Sequence, residues 1–564
     1  MLGPTFAADT TKLINVNDAG IQSNQGVSAG ANITADGKEI VFRSIADNLV
    51  LGESHGIFVR NLETKETSVL FPGTKGTSPI INASGQYVVF STQEPLAAPD
   101  SGSNDRTIYR YDRWNQVAEV VNQSSDGTTT GNSTCCIGTS KISPNGRFIL
   151  FDTWATNLVD GVDLGSANLP LADHQQLYLR DMLNGTTTLV SMNSAEEPGN
   201  ALTRMAYGAD VNDNGDVVFV TASTNMVAGN TDGSWDVFLR KQTAPLTTNP
   251  LVWDAPILVN INRLGVKGNH HSSVILLGSL NPLLTSDGKV LFLTYADNLI
   301  LDENDLPDDA NGHAGDLILR DIDANTNVRT NLDNSGNQGG VLGGAHSAAI
   351  SPDGNTILFI ASNQSFFDNP LPSSINGWNV FRRNMLTGIT DIVSLRSDGT
   401  RSTATFEQTN GSTYLYFINY ISMSSDGNKV VFSSRAPDLI VSGGVIQNDA
   451  NHNYTDQNHV GIYDHFVRTK LEDPMEAADD LVEDIETLID TGATELNNGG
   501  SNKLLSDLAD INKQVSLGHT TSALGMLDDF ITDVGKFMRK GDLTQAQGDA
   551  LIDSANVIIE LLAP

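Results

Sequence analysis

Apolar positions along the chain fall into two regimes. From about residue 11 to 470, short runs rich in Val, Ile and Phe alternate with Gly-, Asn- and Asp-rich turns, the pattern of strands. After Pro474 apolar residues recur every three or four positions, the pattern of amphipathic helices. Within the first regime one unit returns seven times, at residues 33–42, 81–90, 142–151, 211–219, 284–292, 350–359 and 423–432. Each sets Asp-Gly or Asn-Gly, and once Ser84-Gly85, ahead of an apolar run ending in Phe. The repeats lie roughly 65 residues apart. Such a pair between apolar runs predicts a tight hairpin, because these residues accept positive φ. A third strand follows, as in Gly56–Arg60, Gln176–Arg180 and Asp236–Arg240, and a fourth comes after a short polar turn, as in Thr187–Asn193. Four antiparallel strands repeated seven times predict a mainly β fold, a seven-bladed β-propeller.

The seventh unit reaches Arg468 without a fourth strand before Pro474. Residues 11–17 match residues 187–193 in character, so the N-terminal strand is expected to complete the last blade beside residues near 468. Closure of this kind removes open sheet edges. In the second regime Leu481, Ile485, Leu488 and Ile489 share one helical face, and Leu504, Leu508, Ile511 and Val515 share another. Further stripes run from Leu524 to Phe537 and from Leu551 to Leu562, and Thr544 with Gln547 forms a capping box before the last. A small C-terminal α-helical bundle follows. The expected division is a tail at 1–10, the propeller at 11–470 and the bundle at 471–564.

The Ser-Pro-Asp-Gly turn at 351–354 and the Ser-Pro-Asn-Gly turn at 143–146, each before a strand ending in Phe, resemble TolB-like propeller repeats of bacterial periplasmic and secreted proteins. That resemblance implies the fold. It leaves the role open, because such propellers serve as binding scaffolds, protease domains and lyases. The stretch from Phe530 through Asp542-Leu543-Thr544 to Ile559 resembles the FIMAH domain, a helical module of bacterial extracellular proteins. It implies a surface or secreted setting and an interaction role, set against a bundle with no partner.

Charge narrows the possible partners. The chain carries 33 Lys and Arg against 67 Asp and Glu, a net charge of −34. Such a balance repels phosphate backbones and excludes sequence-independent nucleic-acid binding. No apolar run approaches the ~20 residues of a transmembrane segment. Met1–Ala8 lacks the basic start of a full secretory signal but ends like the tail of one. The two cysteines, Cys135 and Cys136, are adjacent, too close for an unstrained disulfide at about 3.8 Å between Cα atoms.

Candidate chemistry concentrates in the long links between strands two and three. Asn230, Asp232, Ser234 and Asp236 place oxygens at alternate positions. Asp449, Asn451, Asn453 and Asp456 give a similar run, and Asp302, Asn304, Asp309, Asn311 and Asp316 crowd a third loop. Hard oxygens at this spacing suit Ca²⁺, which takes six to eight of them. Asx turns in solvated loops are the alternative. His270, His271 and His346 precede first strands and could serve a lyase acting on acidic polysaccharide. An arginine ends six of the seven third strands: Arg60, Arg180, Arg240, Arg320, Arg383 and Arg468. A repeated ion pair bracing blades or loops is the expected role, with an anion-gripping ring as the alternative. The expectation for the whole is an extracellular or cell-surface binding or assembly module, steadied by Ca²⁺ and engaging a protein partner or a second copy of itself. A carbohydrate-active enzyme and a periplasmic partner-binding protein are the alternatives.

Overall fold

A computed structural model describes residues 10–25, 30–72, 76–100, 106–132, 140–160, 175–201, 203, 208–243, 245–247, 251–272, 282–309, 315–338, 348–361, 379–397, 405–407, 413–415, 418–434, 436, 439, 441–442, 445–446, 464–470, 474–490 and 498–562. Seven four-stranded antiparallel sheets form the blades of the propeller. Blade 1 comprises Asn32–Ile33, Glu39–Ser44, Gly56–Asn61 and Thr67–Val69. Blades 2 to 6 follow the same order within residues 77–120, 141–189, 209–258, 283–329 and 348–392.

Blade 7 is built from both ends of the ring. Ile418–Met423, Lys429–Ser434 and Asp464–Thr469 supply three strands and Thr10–Leu13 the fourth. Thr11 lies opposite Arg468 and Leu13 opposite Phe466. The Ile14 N–H donates to the His465 carbonyl at 2.8 Å, which extends the pairing. Two short hairpins that the repeat does not announce, Thr405–Glu407 with Thr413–Leu415 and Val441–Ser442 with Val445–Ile446, stand outside the blades.

The repeated Phe forms each blade's core. In five blades it stacks on an aromatic ring of strand three, as Phe42–Phe58, Phe151–Tyr178, Phe219–Phe238, Phe359–Phe381 and Phe432–Phe466, with centroids 5.5–5.9 Å apart, and in blade 2 Phe90 meets Tyr109 at a tilt, 6.2 Å apart. In blade 5 Phe292 faces Ile318 instead. Apolar clusters join each sheet to the next, as where Phe148, Leu150 and Leu177 of blade 3 pack with Val211, Phe219 and Phe238 of blade 4.

All seven turn glycines have φ between 70° and 86°. The Asp or Asn before each keeps negative φ, unlike in a turn needing positive φ at both places. In five of the seven turns its side chain instead accepts from a hydroxyl two residues earlier, as Asp36 does from Thr34, Asn145 from Ser143 and Asp353 from Ser351. Neighbouring turns then bond to one another. The N–H groups of Ser425, Ala35, Ala83 and Ser286 donate to the carbonyls of Ala35, Ala83, Pro144 and Pro352 in turn.

The helices are α1 (Pro474–Asp490), α2 (Asn498–Ser516), α3 (Thr520–Lys540) and α4 (Gln545–Leu562). Leu481, Ile485, Leu504, Leu508, Ile511, Leu527, Phe530, Val534, Leu551 and Ile558 meet in one buried cluster. The capping box forms as expected: the Thr544 N–H donates to Gln547 Oε1 at 2.7 Å and the Gln547 N–H to Thr544 Oγ1 at 3.3 Å. Gly541, at φ 82°, ends α3. Among the described residues no helix is long and apolar enough to cross a membrane.

Candidate functional site

The strand-three arginines brace the ring from within. Arg180 Nη1 donates to Thr187 Oγ1 of its own blade, and Thr187 Oγ1 donates to the Gln123 carbonyl in the segment leaving the preceding blade. The same relay runs from Arg60 through Thr67 to the Val16 carbonyl. It recurs from Arg383 through Thr390 to Leu332, and from Arg468 through Thr11 to Leu395. In blade 5 Asn327 takes the place of Thr, and Arg240 reaches the Val190 carbonyl directly. The brace between blades is therefore present, but these bonds go to carbonyl and hydroxyl oxygens rather than to carboxylates. Burial pushes the guanidinium pKa down, to about 10 for Arg180 and for Arg240. A buried cation is tolerated here because it satisfies carbonyls that would otherwise be orphaned at the seam.

A second device holds the face formed by the long links. Asn157 accepts from the Asn132 N–H and donates to the Thr130 carbonyl, while Asn132 accepts from the Thr156 N–H. Asn225 with Asn200, and Asn298 with Asn269, repeat the exchange. Its sequence signal is an Asn followed by Leu or Met shortly after strand two: Asn48-Leu49, Asn157-Leu158, Asn225-Met226 and Asn298-Leu299. The hairpin repeat overshadowed it.

The candidate calcium ligands fare differently. Asn230 Oδ1, Asp232 Oδ1, Ser234 Oγ and Asp236 Oδ2 do converge, and what lies at their centre is the Lys267 ammonium, 2.6–2.7 Å from each. Asp236 is fully buried and also accepts from Asn260 at 2.7 Å. In the third loop the acids divide between an Asx turn and a buried arginine. Asp302 closes an Asx turn by accepting from the N–H groups of Asn304 and Leu306. Asp316 accepts from Arg329 Nε at 2.8 Å, and Arg329 stands 3.8 Å from Asp309. Asn311, and the run Asp449, Asn451, Asn453 and Asp456, lie outside the described residues, as do His346, Cys135 and Cys136. Among the described residues no three His, Cys, Asp or Glu side chains are grouped to hold a metal ion. The sequence signal for Lys267 was its place in the repeat. Bridges set it in the position held by Gln22, Thr130, Pro198 and Gln338 elsewhere, and among these Lys267 alone is a cation.

His270 and His271 sit beside this cage, at the seam of blades 4 and 5. Their ring centroids are 5.5 Å apart, and that of Tyr295 is 6.2 Å from His270. The Trp235 N–H donates to His271 Nδ1 at 3.2 Å, so neutral His271 carries its proton on Nε2. Both imidazoles are exposed, and Trp235 and Tyr295 are half-buried. Burial pushes the Tyr295 phenol pKa up, which keeps it a hydrogen-bond donor. On the opposite face Lys241, Gln242 and Leu246, which follow strand Asp236–Arg240 of blade 4, line a cleft of about 440 Å³ together with Asn214, Asp216 and Asp287.

Residues 477–560 match the FIMAH domain. A search of curated proteins found no match to the chain. Among solved structures, an oligogalacturonate lyase in complex with manganese is similar at 11% identity and a TM-score of 0.43, over 82% of this chain and 91% of that one. The β-propeller domain of the Trilobed protease from Pyrococcus furiosus is similar at 10% identity and 0.38, over 73% and 90%. The acylaminoacyl peptidase of Pyrococcus horikoshii is similar at 9% and 0.38, over 73% and 50%. At these scores the assignment of the fold rests on the seven sheets of the chain itself.

Proposed function

We propose that the chain is a non-catalytic binding or assembly module of a secreted or cell-surface setting, which meets a protein partner through the long-link face at the seam of blades 4 and 5. The observation that carries this reading is the exposed pair His270 and His271 with half-buried Trp235 and Tyr295, held on a rigid ring by backbone bonds from Trp235 and Tyr295 to His271. Aromatic and imidazole side chains on a fixed scaffold suit recognition. A FIMAH domain on the same chain fits an interaction role outside the cell. The calcium of this reading is assigned to the loop of Asp449, Asn451, Asn453 and Asp456, since side-chain cations, Lys267 and Arg329, already stand among the other two sets of candidate ligands.

Native mass measurement of secreted material, with and without chelator, tests the reading. A bound protein or an oligomer, weakened by His270→Ala with His271→Ala, is the expected result. A bare monomer in both conditions, unchanged by the substitutions, contradicts it. Titration calorimetry decides the calcium part: no heat and no rise in melting temperature at millimolar Ca²⁺ removes it.

The second reading, a lyase on acidic polysaccharide, draws on the same His270, His271 and Tyr295. Abstracting a proton needs a base whose pKa lies near the working pH, and the raised phenol pKa of Tyr295 moves away from that. Release of unsaturated sugar from pectate or alginate, lost in His271→Ala, would establish this reading in place of the first.

A further inference from the structure

The Lys267 ammonium has three N–H donors, yet four side-chain oxygens surround it at 2.6–2.7 Å. One oxygen is therefore surplus to what an ammonium can satisfy with separate bonds. Two of the four belong to carboxylates, so the cage carries one more negative charge than its occupant neutralises. A doubly charged ion meets both conditions: it would balance Asp232 and Asp236 and it has no fixed number of donors. The oxygens come from alternate residues of one short segment, with Asp236 anchored at the start of a strand and Asp232 open to solvent for added waters. We infer that Asn230, Asp232, Ser234 and Asp236 form a calcium-type cage whose native occupant is the protein's own Lys267 ammonium, and that the cage takes a divalent cation when this ammonium is removed. The tethered charge thus does for blade 4 what a bound ion would do, without dependence on the ion's concentration. The inference stands apart from the proposed binding role and survives its failure.

Trp235 lies between two of the cage residues and makes the test local. Terbium, a luminescent stand-in for Ca²⁺, is titrated into the full chain while tryptophan is excited. Lys267→Ala is expected to gain an emission that saturates at about one more ion per chain than the native protein and that Ca²⁺ displaces. It is also expected to gain a Ca²⁺-dependent rise in melting temperature, by the linkage of folding to binding. Adding Asp232→Asn should abolish most of both gains, and adding Trp235→Phe should remove the emission while leaving the thermal shift. An alanine variant with neither gain overturns the inference. Native protein that gives the same emission as the variant overturns it too, because the lysine would then not hold the site. Should Lys267→Ala fail to fold in chelator, Lys267→Met is measured beside it. Recovery of either by Ca²⁺ supports the cage, and failure of both in Ca²⁺ counts against it.

Discussion

The Asp232 carboxylate accepts from Lys267 and from Ser234, and these bonds hold its pKa down to about 2. An unfolded Asp titrates near 3.9. A group depressed in the folded state adds stability above its unfolded pKa and loses it as pH falls through the folded one. The contribution of Asp232 is thus complete above about pH 4 and gone near pH 2. Asp232 is well exposed, so solvent screening keeps the effect small. Acid unfolding of Asp232→Asn should show a shallower loss of stability than the native protein across that window. Equal slopes would mean the pair with Lys267 does not form in solution. At the seams, Thr187→Val keeps the shape of the side chain but strands the Gln123 carbonyl and one Arg180 donor. A cost of about 1–3 kcal/mol is expected in urea unfolding, against nearly none for exposed Thr64→Val. The position of each repeated arginine was legible in the sequence. Its partner was not, because the receiving carbonyl belongs to another blade and carries no residue-type signature.

Among elements, the Asn-Gly turn at 145–146 was legible from two residues, since φ of 80° at Gly146 calls for glycine. What the turn touches was not legible. A Cβ on Gly146 would run into the Tyr87 ring of blade 2, whereas a Cβ on Gly265, at nearly the same φ of 79°, meets nothing within 4 Å. Gly265→Ala should therefore cost only the backbone strain, about 1 kcal/mol, while Gly146→Ala should cost that and the clash at the seam. Equal losses of stability in a thermal melt would show that the turn does not press on its neighbour. The acidic loops teach the same lesson. The run from Asn230 to Asp236 did predict converging oxygens, because alternate residues of one segment reach one point. The identity of the cation depended on Lys267, more than thirty residues later in sequence, which becomes a neighbour only when the strands of blade 4 pair.

At the scale of the molecule, the apolar clusters of the ring draw on residues between Leu13 and Val467, and the cluster of the bundle draws on residues 477–562. We propose from this that residues 471–564 fold as a unit of their own. Calorimetry should then show two transitions, with the smaller one retained when the C-terminal piece is expressed alone. A single transition, with no helical signal from that piece, would oppose it. The ring itself makes the stricter demand, since its last blade exists only if Thr10–Leu13 returns to Asp464–Thr469. Hydrogen exchange of the native full chain reads this directly. The peptide holding Leu13 and Ile14 should exchange as slowly as the one holding Phe466 and Val467, and both should open in the same event. Rapid exchange of the first peptide while the second stays protected would mean that the ring is not closed by its N-terminal strand.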